Sequence, residues 1–333
     1  MPSFGRVSAF AGGEIGGILP LGLPGDDSLN NQLIAESKMA LNISPPSGPP
    51  PQAAMSLNDL AQLLQRLTSE HYATRNMQPF FRMMLTLALR GMGIGNNGNV
   101  DQSGELAAMS FIRSELSRLY SGQTWTIFDV GANTGQFIAA ALQIFGTEQR
   151  RFYCFEPSHQ AFAQLQMLVA ARVGPGRGAE AVSVHNLGLG DKEEKVPLYS
   201  NAVGAEIGSL YKRQLDHIGI AMQHMEDATI QTLDGFAKER GIERIHFLKL
   251  DTEGHELKCI QGARGLIDAG RIDFIQFEMG CNVDARTYFR DFWHALPNYR
   301  IGRILRDGVA DIERYQESEE QFGTQNLLAI LRR

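Results

Sequence analysis

Where the apolar run Phe247-Leu248-Lys249-Leu250 gives way to Asp251-Thr252-Glu253-Gly254-His255-Glu256, four ionisable side chains follow one another within six residues. A carboxylate or imidazole at the end of a strand can take the proton of an attacking hydroxyl. Grouped carboxylates can instead hold a hard cation such as Mg²⁺, which prefers oxygen ligands and can clamp a diol. Gly254 permits a sharp bend between Glu253 and His255, and Glu278 closes the next apolar run, Phe274-Ile275-Gln276-Phe277. The catalytic candidates are Asp251, His255, Glu253 and Glu278: Asp251 or His255 as base, with Glu253 and Glu278 orienting the acceptor. Glu253 and Glu256 also suit the positive end of a following helix without any chemistry.

A second constellation belongs to a cofactor. Thr126-Ile127-Phe128-Asp129-Val130-Gly131-Ala132-Asn133-Thr134-Gly135-Gln136-Phe137 is an apolar strand, a glycine turn and the opening of a helix. A dinucleotide fingerprint from Gly131 requires glycine at 133 and 136, and those positions carry Asn133 and Gln136. The spacing, Asp129-x-Gly131-x-Asn133-x-Gly135, favours S-adenosylmethionine instead. Glycine lets backbone approach a ligand closely, and asparagine tolerates left-handed conformations. Glu156 follows Gly135 by twenty-one residues at the end of the next strand-like run, where an acid meets ribose hydroxyls. Asn186, at the end of a third strand, is placed for the adenine. The glycine loop 91–98 precedes the first strand and could fold over the cofactor, with Glu105 contributing a contact.

These residues need a scaffold. From Thr124 the pattern alternates strand and helix, the mark of a parallel sheet with helices on both faces. Strands are expected at 125–130, 151–156, 181–186, 246–251, 273–278, 299–305 and 326–332, seven in all, the last two forming a terminal antiparallel hairpin. Helices are expected at 135–145, 158–172, 232–240, 255–268 and 284–295. The segment 191–230 has no clear period and reads as irregular or hairpin structure above the sheet. Before this, 1–52 is a Gly/Pro-rich flexible extension and 53–121 a helical region with the lid; 122–333 carries the chemistry. Leu57, Leu60, Leu63, Leu64 and Leu67 repeat at helical spacing after Ser56, an N-cap. That stripe either packs on the main domain or pairs two copies as a homodimer.

The net charge of -6 and the absence of a basic stripe argue against a nucleic-acid partner. Cys154, Cys259 and Cys281 lack metal-ligand spacing and read as reduced thiols, with no zinc site. No apolar run has the length of a membrane span, and Glu14 interrupts the N-terminal apolar stretch, so a cytoplasmic protein is the expectation.

Residues 91 to 332 resemble the FkbM-type family of S-adenosylmethionine-dependent methyltransferases. The likeness is carried by Phe128-Asp129-Val130-Gly131-Ala132-Asn133-Thr134-Gly135, Phe155-Glu156-Pro157, His185-Asn186-Leu187-Gly188, Leu248 to Glu256, and Phe277-Glu278. It implies a class I methyltransferase, Rossmann-like fold and methylation of an oxygen on a sugar or secondary metabolite. Methylation of nitrogen or a carboxylate, which needs no strong base, is the main rival. A nicotinamide oxidoreductase and a non-catalytic binding module stand further off.

Overall fold

The computed structural model describes residues 56–95, 103–174, 181–202, 208–280 and 282–333. The extension 1–52, Cys281 and the glycine loop beyond Gly95 lie outside the described residues. The chain divides into two compact units, Met1–Arg82 and Met83–Arg333.

In the first unit, helix α1 (Leu57–Thr68) starts as expected from Ser56, whose Oγ accepts the amide of Asp59 at 3.1 Å while the Asp59 carboxylate returns to the Ser56 amide. Leu60, Leu63, Leu64 and Leu67 are all exposed. Helix α2 (Gln78–Gly91) carries the chain into the second unit.

The second unit is built on an eight-stranded sheet, in the order β11-β10-β12-β9-β8-β1-β2-β3. Its strands are β1 (Trp125–Val130), β2 (Arg150–Phe155), β3 (Val182–His185), β8 (Ile245–Leu250), β9 (Ile272–Met279), β10 (Tyr299–Leu305), β11 (Gly308–Ile312) and β12 (Gln325–Leu331). β1, β2, β3, β8 and β9 are mutually parallel, while β12 runs antiparallel between β9 and β10. One strand more is present than the seven expected. β11 is a half-exposed edge strand inside the polar stretch after Asp307, so no buried face writes an apolar signal there.

The segment 191–230 is also more regular than expected. β4 (Gly188–Gly190), β5 (Glu194–Ser200), β6 (Gly208–Ser209) and β7 (His224–Thr232) form a second, four-stranded sheet ordered β4-β7-β5-β6. Among the described residues its own buried core is Leu198, Ala228 and Ile230. So small a buried face leaves the alternation of β7 to polar residues, and the period is hidden.

Helix α3 (Glu105–Leu119) buries Ala108, Met109, Ile112 and Leu116 and belongs to the sheet-bearing unit, which therefore begins before residue 122. α4 (Gln136–Phe145) and α5 (His159–Val173) share its face of the sheet, and α6 (Leu233–Glu239) covers the other. The single helix expected over 255–268 is two, α7 (Glu256–Gln261) and α8 (Arg264–Asp268). They break at Gly262, where a Cβ would lie 1.9 Å from the Gly190 carbonyl oxygen. The helix expected over 284–295 is likewise α9 (Asn282–Ala285) and α10 (Phe289–Ala295). Among the described residues no helix is long and apolar enough to cross a membrane.

Strand alternation decides which side chains reach which face. Phe128, Val130, Leu248, Leu250, Ile275 and Phe277 enter the core under α6 and α10; Ile127, Phe247 and Phe274 enter the one under α3, α4 and α5. By the same alternation Asp129, Lys249, Asp251, Gln276 and Glu278 all belong to the second face. Chain order reverses between β1 and β8, and in open α/β sheets such a switch point, at the carboxyl ends of the strands, is where ligands bind.

Candidate active site

Strand register aligns Asp129 on β1 with Lys249 on β8 and Lys249 with Gln276 on β9, a polar row across three central strands. The Lys249 ammonium lies 3.6 Å from Asp129 Oδ1 and 3.1 Å from Asp251 Oδ2, and 4.8 Å from the centre of the Phe137 ring. Glu105, the first residue of α3, closes the row by accepting the Gln276 amide at 2.6 Å on one oxygen and the Ser103 hydroxyl at 2.8 Å on the other. Neither oxygen of Asp129 has a hydrogen-bond partner although the residue is 1% exposed. Burial pushes its carboxyl up to about 6, against the pull of Lys249.

The glycine turn follows directly. Gly131 has φ +79°, and a Cβ there would lie 1.7 Å from the Asp251 carbonyl oxygen, so only glycine lets the turns after β1 and β8 touch. Asn133 is left-handed at φ +48°, as its residue type allows. Gly135, at φ +100°, is packed against Leu165 and Leu168 of α5.

At the next strand end the expected ribose acid is engaged with backbone. Glu156 accepts the amides of Asn133 at 2.8 Å and Ser158 at 2.9 Å, one on each oxygen. Burial nonetheless raises it to about 7. Asn186 donates its side-chain amide to the carbonyls of Glu156 and Pro157 at 2.9 and 3.0 Å. The ends of β1, β2 and β3 are thereby stitched together, with the second lone pairs of Glu156 and the carbonyl oxygen of Asn186 remaining for a ligand.

Around Asp251 the candidates separate by role. Glu256 Oε1 accepts the amides of Thr252 and Gly254 at 2.7 and 3.2 Å, which makes it the brace of this turn. Glu253 adopts φ +54° and is fixed from both sides: its carbonyl accepts the Ser209 hydroxyl at 2.8 Å, and its carboxylate meets the Arg213 guanidinium at 2.5 Å. A non-glycine residue in this conformation persists only where its surroundings hold it. His255 is turned toward Gly190 and Tyr211, its Nδ1 3.3 Å from the Tyr211 hydroxyl and its Nε2 against Gly190. Burial depresses its imidazole to about 4. Asp251 keeps 38% of its side chain exposed, with Oδ2 on Lys249 and Oδ1 without a protein donor. Glu278 is pushed well above the carboxylate range by burial and then by Asp251, Glu253 and Glu256, which places these four acids in one another's fields. Among the described residues, no group of three or more His, Cys, Asp or Glu side chains is arranged to hold a metal ion.

Sequence reading passed over four contributors. Lys249 is a lone ammonium in a fully buried strand, and that mismatch with its neighbours was its signal. Ser209, Tyr211 and Arg213 come from the stretch without a period, and nothing local marks them.

The groups fit S-adenosylmethionine: a buried carboxylate without donors suits a cationic ligand, and the acids at the neighbouring strand ends suit its ribose. The family described as Methyltransferase FkbM domain matches residues 129–299, just over half of the chain. Among solved structures, a methyltransferase FkbM from Methylobacillus flagellatus KT is 17% identical over 62% of this chain and 43% of its own length, with a TM-score of 0.38. An S-adenosylmethionine-dependent O-methyltransferase from Thermotoga maritima is 12% identical, covering 68% of this chain and 65% of that one, with a TM-score of 0.34. A magnesium protoporphyrin IX methyltransferase from Synechocystis PCC 6803, solved with its cofactor bound, is 10% identical over 68% and 80%, with a TM-score of 0.35. The chain thus spans less than two thirds of the first two. No curated protein matches it. Likenesses this slight carry no argument of their own; the strand order and the family match do.

Proposed function

This chain belongs to the FkbM methyltransferase family, and on that premise we propose that it moves a methyl group from S-adenosylmethionine to a hydroxyl oxygen of a small acceptor, a glycoside or secondary metabolite. The observation that supports an oxygen acceptor is Asp251: a partly exposed carboxylate at the switch point, held on Oδ2 by a buried ammonium and with no protein donor on Oδ1. Nitrogen and carboxylate acceptors need no such base.

When bound, the cofactor would supply a methyl group on a sulfonium, already a good leaving group. The chain's task is then register and deprotonation. Asp129 offers a buried negative charge to the cationic end of the cofactor, with Gly131, Asn133 and Gly135 providing close-approaching backbone. Glu156 and Asn186 take the ribose and adenine end, and Glu105 braces the row through Gln276. Asp251 accepts the acceptor's proton at Oδ1. Glu253, fixed by Arg213, and Glu278 orient the remaining hydroxyls. His255 is the weaker base because Tyr211 and Gly190 enclose its two ring nitrogens.

The test is transfer of tritiated methyl from S-adenosylmethionine to a panel of glycosides and phenolic metabolites. Label stable to mild alkali is expected, whereas methanol released by alkali would reveal a carboxylate acceptor and absence of label a binding module. Asp251→Asn should lower turnover about 1,000-fold with the affinity for S-adenosylhomocysteine kept. Near-wild-type turnover would remove Asp251 from the role of base.

A further inference from the structure

The Lys249 ammonium touches both halves of the site at once. It stands on β8 directly opposite Asp129 on β1, with its side chain 5% exposed, and reaches Asp251 from the same position. A lysine in a central strand is a poor choice for stability. Replacing buried ions by apolar side chains of similar volume is often neutral or stabilising, and every other residue of β8 apart from His246 is apolar. The arrangement is also asymmetric. Lys249 makes its hydrogen bond with Asp251, the more exposed aspartate, and keeps the longer ionic contact with Asp129, the buried one. If the ammonium served only to compensate buried charge, the shorter contact would be expected on the buried carboxylate, where desolvation is greater.

We propose that Lys249 is a positioning residue for methyl transfer: by holding Oδ2 of Asp251 it directs Oδ1 toward the acceptor hydroxyl, and by its contact with Asp129 it ties that aim to the cofactor end. The inference rests on the reading of Asp251 as base. The ammonium is a compact charge that can sit between two carboxylates on adjacent strands. A guanidinium is larger and planar and fixes its partners in a fork, so Lys249→Arg keeps the charge while displacing Asp251. Lys249→Met keeps the length of the side chain and removes the charge.

The experiment compares Asp251→Asn, Lys249→Met, Lys249→Arg and the double variant Lys249→Met/Asp251→Asn. Turnover is measured with the glycoside that takes label in the transfer assay, affinity for S-adenosylhomocysteine by calorimetry, and melting by circular dichroism. Lys249→Met should lower kcat about 100-fold, the scale of a small misplacement of a reacting group. Affinity for S-adenosylhomocysteine should stay within about threefold, because Lys249 holds the aspartates and not the ligand; groups acting as one unit lose their effect on kcat once and not twice. For the same reason the double variant should be no slower than Asp251→Asn alone, and Lys249→Arg should lie between wild type and Lys249→Met. A further loss of kcat in the double variant, or a loss of turnover that only follows the loss of folded protein, would make Lys249 structural and overturn the inference. If Lys249→Met does not fold, Lys249→Arg in the Asp251→Asn background decides the same question. Fast turnover by Asp251→Asn would instead refute the base reading, so the two failures are distinguishable.

Discussion

Two buried aspartates sit at opposite ends of the same sheet. Asp273, at the start of β9, receives the Tyr120 hydroxyl at 2.9 Å and the guanidinium groups of Arg244 and Arg333 at 2.7 Å each, all on Oδ1. Asp129, near the end of β1, receives no hydrogen bond and has one ammonium at 3.6 Å. Their side chains are 1% and 2% exposed, so burial does not distinguish them. What differs is whether the protein itself supplies donors. At the amino ends of the strands it supplies three, all to Oδ1 while Oδ2 has none, and the charge contributes to holding β9 and the chain terminus together. At the carboxyl ends it supplies no hydrogen bond to either oxygen, which leaves Asp129 the more open of the two to a ligand.

The largest expected effects exchange the two. Asp273→Asn should destabilise the protein by about 1–2 kcal/mol, less than a fully buried pair would because Arg244 and Arg333 remain partly in water. Its affinity for S-adenosylmethionine should not change. Asp129→Asn should do the reverse: weaken S-adenosylmethionine binding roughly 10- to 100-fold, the scale of one charged hydrogen bond, without loss of stability. Denaturant titration and calorimetry on both variants check this, and a stability loss in Asp129→Asn larger than in Asp273→Asn would erase the distinction.

The glycine turn and the strand-end acid were legible in the sequence for the same reason that they stand at the switch point. Gly131, Gly135 and Glu156 are tied to fixed offsets from strand ends, and strand ends are visible as the limits of apolar runs. Strand positions in the parallel core were legible too, because both faces are buried and most positions carry an apolar signal. Glu253 was read as an acceptor contact, but its ion pair with Arg213 depends on a second sheet whose three-residue core leaves hardly any apolar pattern. Likewise the turning of His255 toward Tyr211 could not be foreseen, since Gly190 approaches it from β4 and Tyr211 from the bend that follows β6. Long-range pairings of this kind have no local spacing to betray them.

A smaller effect separates the aspartates by pH. Asp129 titrates near 6 in the folded protein because burial disfavours its charge, against 3.8 for the unperturbed group. Between those values the native state binds more protons than the unfolded state, so this group's contribution to stability falls as pH rises from about 4 to 6. The buried histidines His246 and His255 and the half-buried His185, depressed to about 4, act in the opposite sense over a similar range, so the wild-type curve alone is uninformative. The difference between Asp129→Asn and wild type isolates the one group. The variant should match wild type near pH 4 and gain on it up to pH 6, by roughly 2 kcal/mol, then stay level. Binding of S-adenosylmethionine to wild type should strengthen over the same interval as Asp129 ionises. A difference that is constant with pH would mean that Asp129 is already ionised throughout and has its counter-charge in Lys249.

Glu156 tests whether the contrast is a matter of degree. It is as enclosed as the aspartates, but its donors are two backbone amides, so its shell is more complete than that of Asp129 and less charged than that of Asp273. In Glu156→Gln one amide N–H must face the new side-chain NH₂, and a lost acceptor at a buried donor costs about 1 kcal/mol. The Asn133 turn should loosen with it, lowering S-adenosylmethionine affinity about tenfold, with kcat at saturating donor unchanged. Such a result, read from donor-dependent kinetics, would place Glu156 between the other two in both stability and binding. Loss of stability with wild-type affinity would instead make Glu156 a brace of the glycine turn and leave the ribose to Asn186 and the backbone.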